Sequence, residues 1–136
     1  MDQQLHIIVK MNILPGKLNE LEAMITDINA HVKAGEPETT LYKWYIDESS
    51  MRCYLVETMV TDDSMLRHLQ NISSVLPGLL AIAPITEWEI YGNLSAQVSE
   101  TVKAIAQSNN VALINANYVS GFSESLQKQQ CKRMTM

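Results

Sequence analysis

The spacing of the apolar residues changes several times along this chain, and the order of the changes restricts the folds that it can adopt. Residues 5–13 are rich in β-branched side chains and stop at Pro15-Gly16, a pattern that predicts a strand followed by a turn. From Leu18 to Val32 the apolar residues recur at steps of three and four, which predicts an amphipathic helix that Gly35 ends. The apolar stripe of such a helix requires a sheet or another helix to cover it.

Two strand-like runs follow, at residues 39–46 and 51–60, with a short polar turn between them. This pattern predicts an antiparallel hairpin. A second helix is predicted to begin at residues 62–64 and to be interrupted at Pro77-Gly78, before a fourth strand at about residues 85–91. This order of strand, helix, strand, strand, helix and strand is the ferredoxin-like βαββαβ arrangement, in which helices cover one face of an antiparallel sheet. The sequence therefore predicts an α+β fold.

A shorter segment extends this arrangement toward the C-terminus. Ser95 is a typical N-cap for a third helix, and residues 111–119 indicate a fifth strand that lies at a sheet edge or reaches a second copy. With 136 residues, of which 46% are hydrophobic, the chain has enough material for one core. We therefore expect one domain made of residues 1–94 and a helix-strand extension of residues 95–123, with a flexible tail at residues 124–136.

Both faces of the predicted strands carry apolar side chains. On the third strand, for example, Leu55 and Met59 alternate with Tyr54 and Val56. Since the helices cover one face of the sheet, the other face needs an apolar partner of its own. The sequence predicts that two copies of the chain pack sheet against sheet as a homodimer.

Composition and the absence of known motifs exclude several classes of function. The net charge of −5 would repel a phosphate backbone, so nucleic acid is not an expected partner. There is no signal-peptide pattern and no apolar segment long enough for a membrane, and Cys53 and Cys131 do not form a disulfide framework. We therefore expect a cytoplasmic protein with reduced thiols. The histidines show no metal-ligand spacing, and phosphate-binding loops and serine hydrolase motifs are absent.

His68 and Glu57 are the candidate catalytic residues. His68 shares a helix face with Met65 and is predicted to point toward the sheet, where a histidine that titrates near neutral pH can take a proton from a phenol. Glu57 interrupts an apolar strand, and contact with His68 would make it an orienting residue or an acid. The alternatives are a histidine with a purely structural hydrogen bond, and a glutamate paired with Lys10 or Arg52 or facing water.

Tyr42, Trp44 and Asn12 are the candidate substrate-binding residues. Alternation places Tyr42 and Trp44 on one strand face, where their rings could stack on an aromatic ligand and the tyrosine hydroxyl could donate a hydrogen bond. Both aromatic residues fit the core or the dimer interface as well. Asn12 ends the first strand, where it either lines the mouth of a pocket or serves the turn at Pro15-Gly16.

One series of residues combines motif and spacing. Its members are Glu36-Pro37, Thr39, Tyr42, Trp44-Tyr45, Glu57, Ser64 and His68-Leu69. This series resembles the antibiotic biosynthesis monooxygenase (ABM) domain, and Tyr91-Gly92-Asn93 and Gly121-Phe122-Ser123 resemble its extended members. The chain departs from the family at Glu38, where many relatives have glycine, and at Glu124, where relatives often have arginine.

The resemblance implies a dimeric α+β barrel with a pocket between each sheet and its own helices. Characterised members include oxygenases that attack electron-rich phenols or quinols with dioxygen and use neither metal nor flavin. We therefore expect a cofactor-independent monooxygenase that acts on a small aromatic phenol or quinol, with His68 as base and Glu57 as its orienting residue. Family resemblance transfers a fold more safely than a reaction, so two alternatives remain.

The first alternative is a non-catalytic dimer that binds a small ligand in the same pocket. The second is a heme-degrading relative, with His68 as an axial ligand. Heme-degrading members carry a tryptophan on the third strand and an asparagine on the first, and residues 51–60 contain no tryptophan. The cofactor-free function is therefore the first expectation.

Overall fold

The computed structural model describes residues 3–124, and this part of the chain contains five strands and four helices. In chain order they are β1 (Leu5–Asn12), α1 (Leu18–Gly35), β2 (Thr39–Asp47), β3 (Arg52–Met59), α2 (Asp62–Ile72), α3 (Leu76–Ile82), β4 (Ile85–Tyr91), α4 (Ala96–Ser108) and β5 (Ala112–Ala116). Apart from Glu124, the predicted tail lies outside the described residues. None of the helices in this range is long and apolar enough to cross a membrane.

The five strands form one sheet in the order β2-β3-β1-β4-β5. The four strands of the predicted core pair antiparallel, with β1 between β3 and β4, so the predicted ferredoxin-like α+β arrangement is confirmed. The added β5 pairs in parallel with β4 of its own chain, with Leu113 opposite Trp88, so the complete sheet is mixed. Helix α4 is the crossover that a parallel pair requires.

The helices lie on one face of the sheet, and the core lies between the two layers. Helix α1 contacts α2 and α3, and α2 contacts α4. Every second residue of β1, from Leu5 to Met11, is buried, and α1 buries Leu21, Ile28 and Val32. The two-residue period of the strands and the 3.6-residue period of the helices thus bring the apolar side chains of both layers together.

The region predicted as one interrupted helix forms two helices, α2 and α3. Thr61 begins α2 with a capping box, in which its backbone N–H donates to Ser64 Oγ at 3.2 Å. Pro77 lies in the first turn of α3, where proline's missing N–H costs no hydrogen bond. Met65 and His68 are three residues apart on α2 and both are buried, so this helix directs His68 toward the sheet.

Candidate active site

A cavity lies between the sheet and the helices. Its volume is about 70 Å³, and one water molecule needs about 10–15 Å³ on the same measure, so a small organic molecule has room inside. The apolar residues that line it are Val9, Met11, Leu55, Met65, Leu69, Ile72, Leu76, Leu79, Leu80, Ile85, Trp88, Ile105 and Val111. The polar residues in the lining are Tyr42, Glu57, His68 and Asn109. This composition suits a mainly apolar ligand with few polar groups.

His68 makes a short contact with Glu36, the residue that follows α1. His68 Nδ1 lies 2.7 Å from Glu36 Oε1, and both side chains are buried. Two more donors hold the same carboxylate: Thr39 Oγ1 donates to Oε1 at 2.8 Å, and Asn71 Nδ2 donates to Oε2 at 2.7 Å. Since an ionised carboxylate only accepts hydrogen bonds, this geometry assigns a proton to Nδ1 of His68 and leaves the lone pair of the neutral ring on Nε2.

The contact shifts the pKa values of both groups. Burial raises the pKa of Glu36, but the hydrogen bonds from His68, Asn71 and Thr39 outweigh burial and hold this pKa below its usual value. Burial lowers the pKa of His68, but the charge of Glu57 and the bond to Glu36 outweigh it and raise this pKa. An ionised Glu36 therefore stabilises the protonated form of the His68 ring.

Glu57 lies on the other side of the His68 ring. Its Oε1 is 3.2 Å from His68 Nε2, yet this oxygen has no hydrogen-bond partner among the described residues. The distance is short enough for an ion pair, but the orientation is wrong for a hydrogen bond. The two groups therefore interact through their charges. Burial raises the pKa of Glu57 to about 7, with the charge of Glu36 adding to burial and His68 opposing it. Near neutral pH this carboxyl can therefore accept or donate a proton.

Lys10 and Arg52, the alternative partners of Glu57, have other partners in the structure. Lys10 Nζ lies 2.8 Å from Glu89 Oε2, and Arg52 Nη2 donates to Thr86 Oγ1 at 3.1 Å. Strand alternation directs Lys10 to the face of the sheet opposite the helices, since its neighbours in β1 are buried beneath them. Glu57 therefore depends on His68 for charge compensation.

Of the three predicted substrate-binding residues, Tyr42 alone lines the cavity. Its ring centroid is 5.7 Å from that of His68, and burial raises its pKa, with the charges of the nearby carboxylates adding to this effect, so the hydroxyl stays protonated and able to donate. Trp44 packs edge-on against Tyr42, with ring centroids 5.8 Å apart, and its Nε1 donates to Asn29 Oδ1 on α1. Asn12 is exposed and takes no part in the lining.

Known proteins match this chain by structure. No family model and no curated protein matches it by sequence. MupZ from Pseudomonas fluorescens is 15% identical, with a TM-score of 0.74 over 90% of this chain and 95% of that chain. Rv0793 from Mycobacterium tuberculosis is 13% identical, with a TM-score of 0.59 over 68% and 97% of the two chains. A putative antibiotic biosynthesis monooxygenase from Caulobacter crescentus is 19% identical, with a TM-score of 0.51 over 64% and 88%. The chain has an ABM-like fold.

The ABM-like fold covers the core of the chain, and MupZ matches more than this core. The C. crescentus and M. tuberculosis proteins match 64% and 68% of the chain, whereas MupZ matches 90%. Because residues 95–123 make up more than a tenth of the sequence, the match to MupZ includes at least part of the C-terminal extension. At these identities the structural likeness shows the fold and does not show the reaction.

Glu36 belongs to the ABM-like sequence series, but no sequence pattern predicts that it lies behind His68, where it contacts the ring without lining the cavity. Its partner is 32 positions away, so no local pattern reveals the contact. Gly35 is a local indication that another side chain packs closely beside Glu36. A Cβ at Gly35 would meet Asn71 Oδ1 at 2.9 Å, so glycine at the end of α1 lets Asn71 come close enough to bind Glu36.

The three groups Glu36, His68 and Glu57 can together move one proton inside an apolar cavity. Glu36 is ionised and fixed, His68 presents Nε2, and Glu57 changes its protonation near neutral pH. Within residues 3–124 no three or more His, Cys, Asp and Glu side chains are placed to hold a metal ion. The chemistry that the three side chains could supply is proton transfer.

Proposed function

We propose that this protein is a cofactor-independent monooxygenase that acts with dioxygen on a small phenol or hydroquinone. The proposal depends on one observation above all: Glu57 Oε1, which has no hydrogen-bond partner within residues 3–124, lies beside His68 Nε2 in a mainly apolar cavity. Buried polar atoms nearly always have hydrogen-bond partners, so this oxygen is suited to accept a hydrogen bond from a ligand. A phenolic hydroxyl supplies both that donor and the proton that His68 can take.

In the proposed reaction His68 is the base. Nε2 accepts the phenolic proton, Glu36 stabilises the imidazolium through Nδ1–H, and Glu57 is a second acceptor beside the substrate oxygen. The phenolate gives up an electron to dioxygen far more readily than the phenol does. A new carbon–oxygen bond at the ring and the loss of one water then convert one hydroquinone and one dioxygen into one hydroxyquinone and one water.

Tyr42 and Trp44 have different proposed roles. Tyr42 lines the cavity with a hydroxyl that stays protonated, so we assign it to substrate binding. Trp44 is fixed by its hydrogen bond to Asn29 and supports the Tyr42 ring from outside the lining. Asn12 is given no role, because it is exposed and lies apart from the cavity.

Oxygen consumption by the purified protein with a panel of hydroquinones tests the proposal. We expect one dioxygen consumed for each hydroquinone, with release of the hydroxylated quinone and no need for added metal, flavin or heme. Binding of these compounds without oxygen consumption would support the ligand-binding alternative. For heme, a Soret shift on titration that is lost in His68→Ala would support the heme-degrading alternative. The geometry disfavours heme, because Glu36 and Glu57 flank both ring nitrogens of His68.

We further propose that the protein works as a homodimer. On the sheet face opposite the helices, Val56 and Ile8 pair at the centre, with Lys43 beside Val56 on β2 and Glu89 beside Ile8 on β4. A second copy related by a two-fold axis along β1 would cover the apolar centre. It would also bring Lys43 of each copy to the side that carries Glu89 of the other.

Val56→Glu should therefore convert the dimer into a monomer. The substitution places a carboxylate at the centre of an apolar contact, where burial costs several kcal/mol, so the dimer Kd should rise by at least about 100-fold. Sedimentation velocity at micromolar concentration measures this change. Ala30→Glu on the exposed side of α1 is the control and should leave the dimer intact. A wild-type monomer at that concentration would refute the dimer.

A further inference from the structure

The cavity extends across most of the width of the sheet. Its lining includes Tyr42 on β2, Glu57 on β3, Val9 on β1 and Trp88 on β4, and it reaches Val111 immediately before β5. In the strand order β2-β3-β1-β4-β5, Tyr42 and Val111 are four strand spacings apart. With about 4.8 Å between neighbouring strands, the backbones at these two positions are roughly 19 Å apart, and the cavity between their side chains is shorter.

The two ends of the cavity differ in exposure and chemistry. At the β2-β3 end, Glu57 is 3% exposed and His68 is 4% exposed, and both are polar. At the β4-β5 end, Ile105 and Val111 are half-buried, and Asn109 at the end of α4 is exposed. Half-buried side chains occur at both ends, since Tyr42 is half-buried as well, and Asn109 is the exposed residue of the lining. Its position puts the mouth between α4 and β5, with the buried Glu57 and His68 at the far end.

The shape of the cavity limits the shape of its ligand. A volume of about 70 Å³ that is lined by residues of every strand from β2 to β4 makes a narrow slot, and between the polar ends the lining is apolar. A wide multi-ring skeleton fits such a slot poorly, whereas one ring with an in-line alkyl chain fits it well. The chain would displace water from the apolar lining, which favours binding.

We infer that the natural ligand is an elongated, narrow, mainly apolar molecule with a hydroxyl head at His68 and a tail that leaves between Ile105 and Val111. The helix-strand extension then sets ligand length, because α4 and the start of β5 supply the mouth. This inference deepens the proposed function and depends on it for the identity of the head group. The dependence of binding on ligand length can be measured without turnover.

Calorimetric titration of the wild-type protein with phenol and its para-ethyl, para-butyl and para-hexyl derivatives tests the inference under nitrogen, so that no oxidation occurs. Burying one methylene group contributes about 0.8 kcal/mol, so affinity should increase by up to about fourfold for each added carbon. The increase should stop where the chain reaches solvent beyond Val111.

Val111→Trp should block the mouth and shorten the ligand that fits. We expect the affinity for para-hexylphenol to fall by at least tenfold, and the affinity for phenol to stay within twofold of wild type. Ile105→Trp, on the helix side of the mouth, is the second blocking variant and covers the case in which the first fails to fold. Val119→Trp is the matched control, since Val119 is 89% exposed and lies outside the lining.

The outcomes separate this inference from the proposed reaction. Affinity that does not change with chain length, or a blocked mouth that leaves the hexyl compound unaffected, would overturn the elongated site even if hydroquinones are oxidised. Length-dependent binding that Val111→Trp or Ile105→Trp abolishes would support the elongated site even if no oxygen is consumed.

Discussion

Replacing His68 with asparagine should lower the rate of hydroquinone-dependent oxygen consumption by about 100-fold to 10,000-fold, the range that a general base contributes. The asparagine Nδ2 can take the place of His68 Nδ1 and donate to Glu36, so the buried carboxylate keeps its donor. The variant lacks Nε2, the proposed proton acceptor. An oxygen electrode measures the rate, and calorimetry of the same variant shows whether the hydroquinone still binds.

His6→Asn is the matched control for this substitution. His6 is exposed, and its ring contacts Thr58 Oγ1 on the neighbouring strand, away from the cavity. We expect the control to retain the wild-type rate. If His68→Asn, folded by circular dichroism, kept more than a tenth of the wild-type rate, His68 would not be the base.

Glu57→Gln should make the protein more stable at pH 8 and should reduce the loss of stability at alkaline pH. Burial raises the pKa of Glu57 from 4.5 to about 7, so between these pH values the folded state keeps a proton that the unfolded state releases. The stability that this proton provides is complete below about pH 4.5 and is lost as the pH rises to about 7. The shift corresponds to roughly 3 kcal/mol, and glutamine, a neutral mimic of the protonated acid, should recover a large part of it.

The neighbouring groups define the rest of the stability profile. The raised pKa of His68 adds stability below pH 6.5 that is lost as the pH rises through its folded value. The lowered pKa of Glu36 adds stability above about pH 4.5 that is lost as the pH falls through its folded value. Wild-type stability should therefore be greatest near pH 4.5 and should fall as the pH rises to about 7, because the contribution of Glu57 is lost over this range. Urea denaturation from pH 4 to 9 measures both proteins, and parallel profiles for wild type and Glu57→Gln would contradict the assignment.

The strands and helices of the core could be predicted from the sequence because their periods are clear and their ends carry turn or capping residues. The helix from Leu18 and the hairpin of β2 and β3 are examples. The direction of β5 could not be predicted, because an edge strand of five residues has no pattern that distinguishes parallel from antiparallel pairing. Its direction follows from the crossover helix α4, which returns the chain to the same end of the sheet.

The candidate site could likewise be predicted only in part. The periods predicted that His68 points toward the sheet and left open which way Tyr42 and Glu57 face, and the structure brings the three residues to one cavity. Alternation fixes the face of a strand residue but not which helix covers it. Trp44, two residues after Tyr42, therefore meets Asn29 and not the cavity. The contact of Glu36 with His68 was beyond prediction, since it joins two polar residues far apart in sequence.

The slot between the sheet and the helices has a consequence for how such a protein can evolve. The groups proposed to move the proton come from residues 36–68, whereas the mouth comes from residues 105–111, a later segment of the chain. Mutations in the later segment can change which molecules are admitted without altering the reacting groups. The proposed function thus assigns reactivity and selectivity to separate stretches of the sequence, and each could be exchanged or engineered alone.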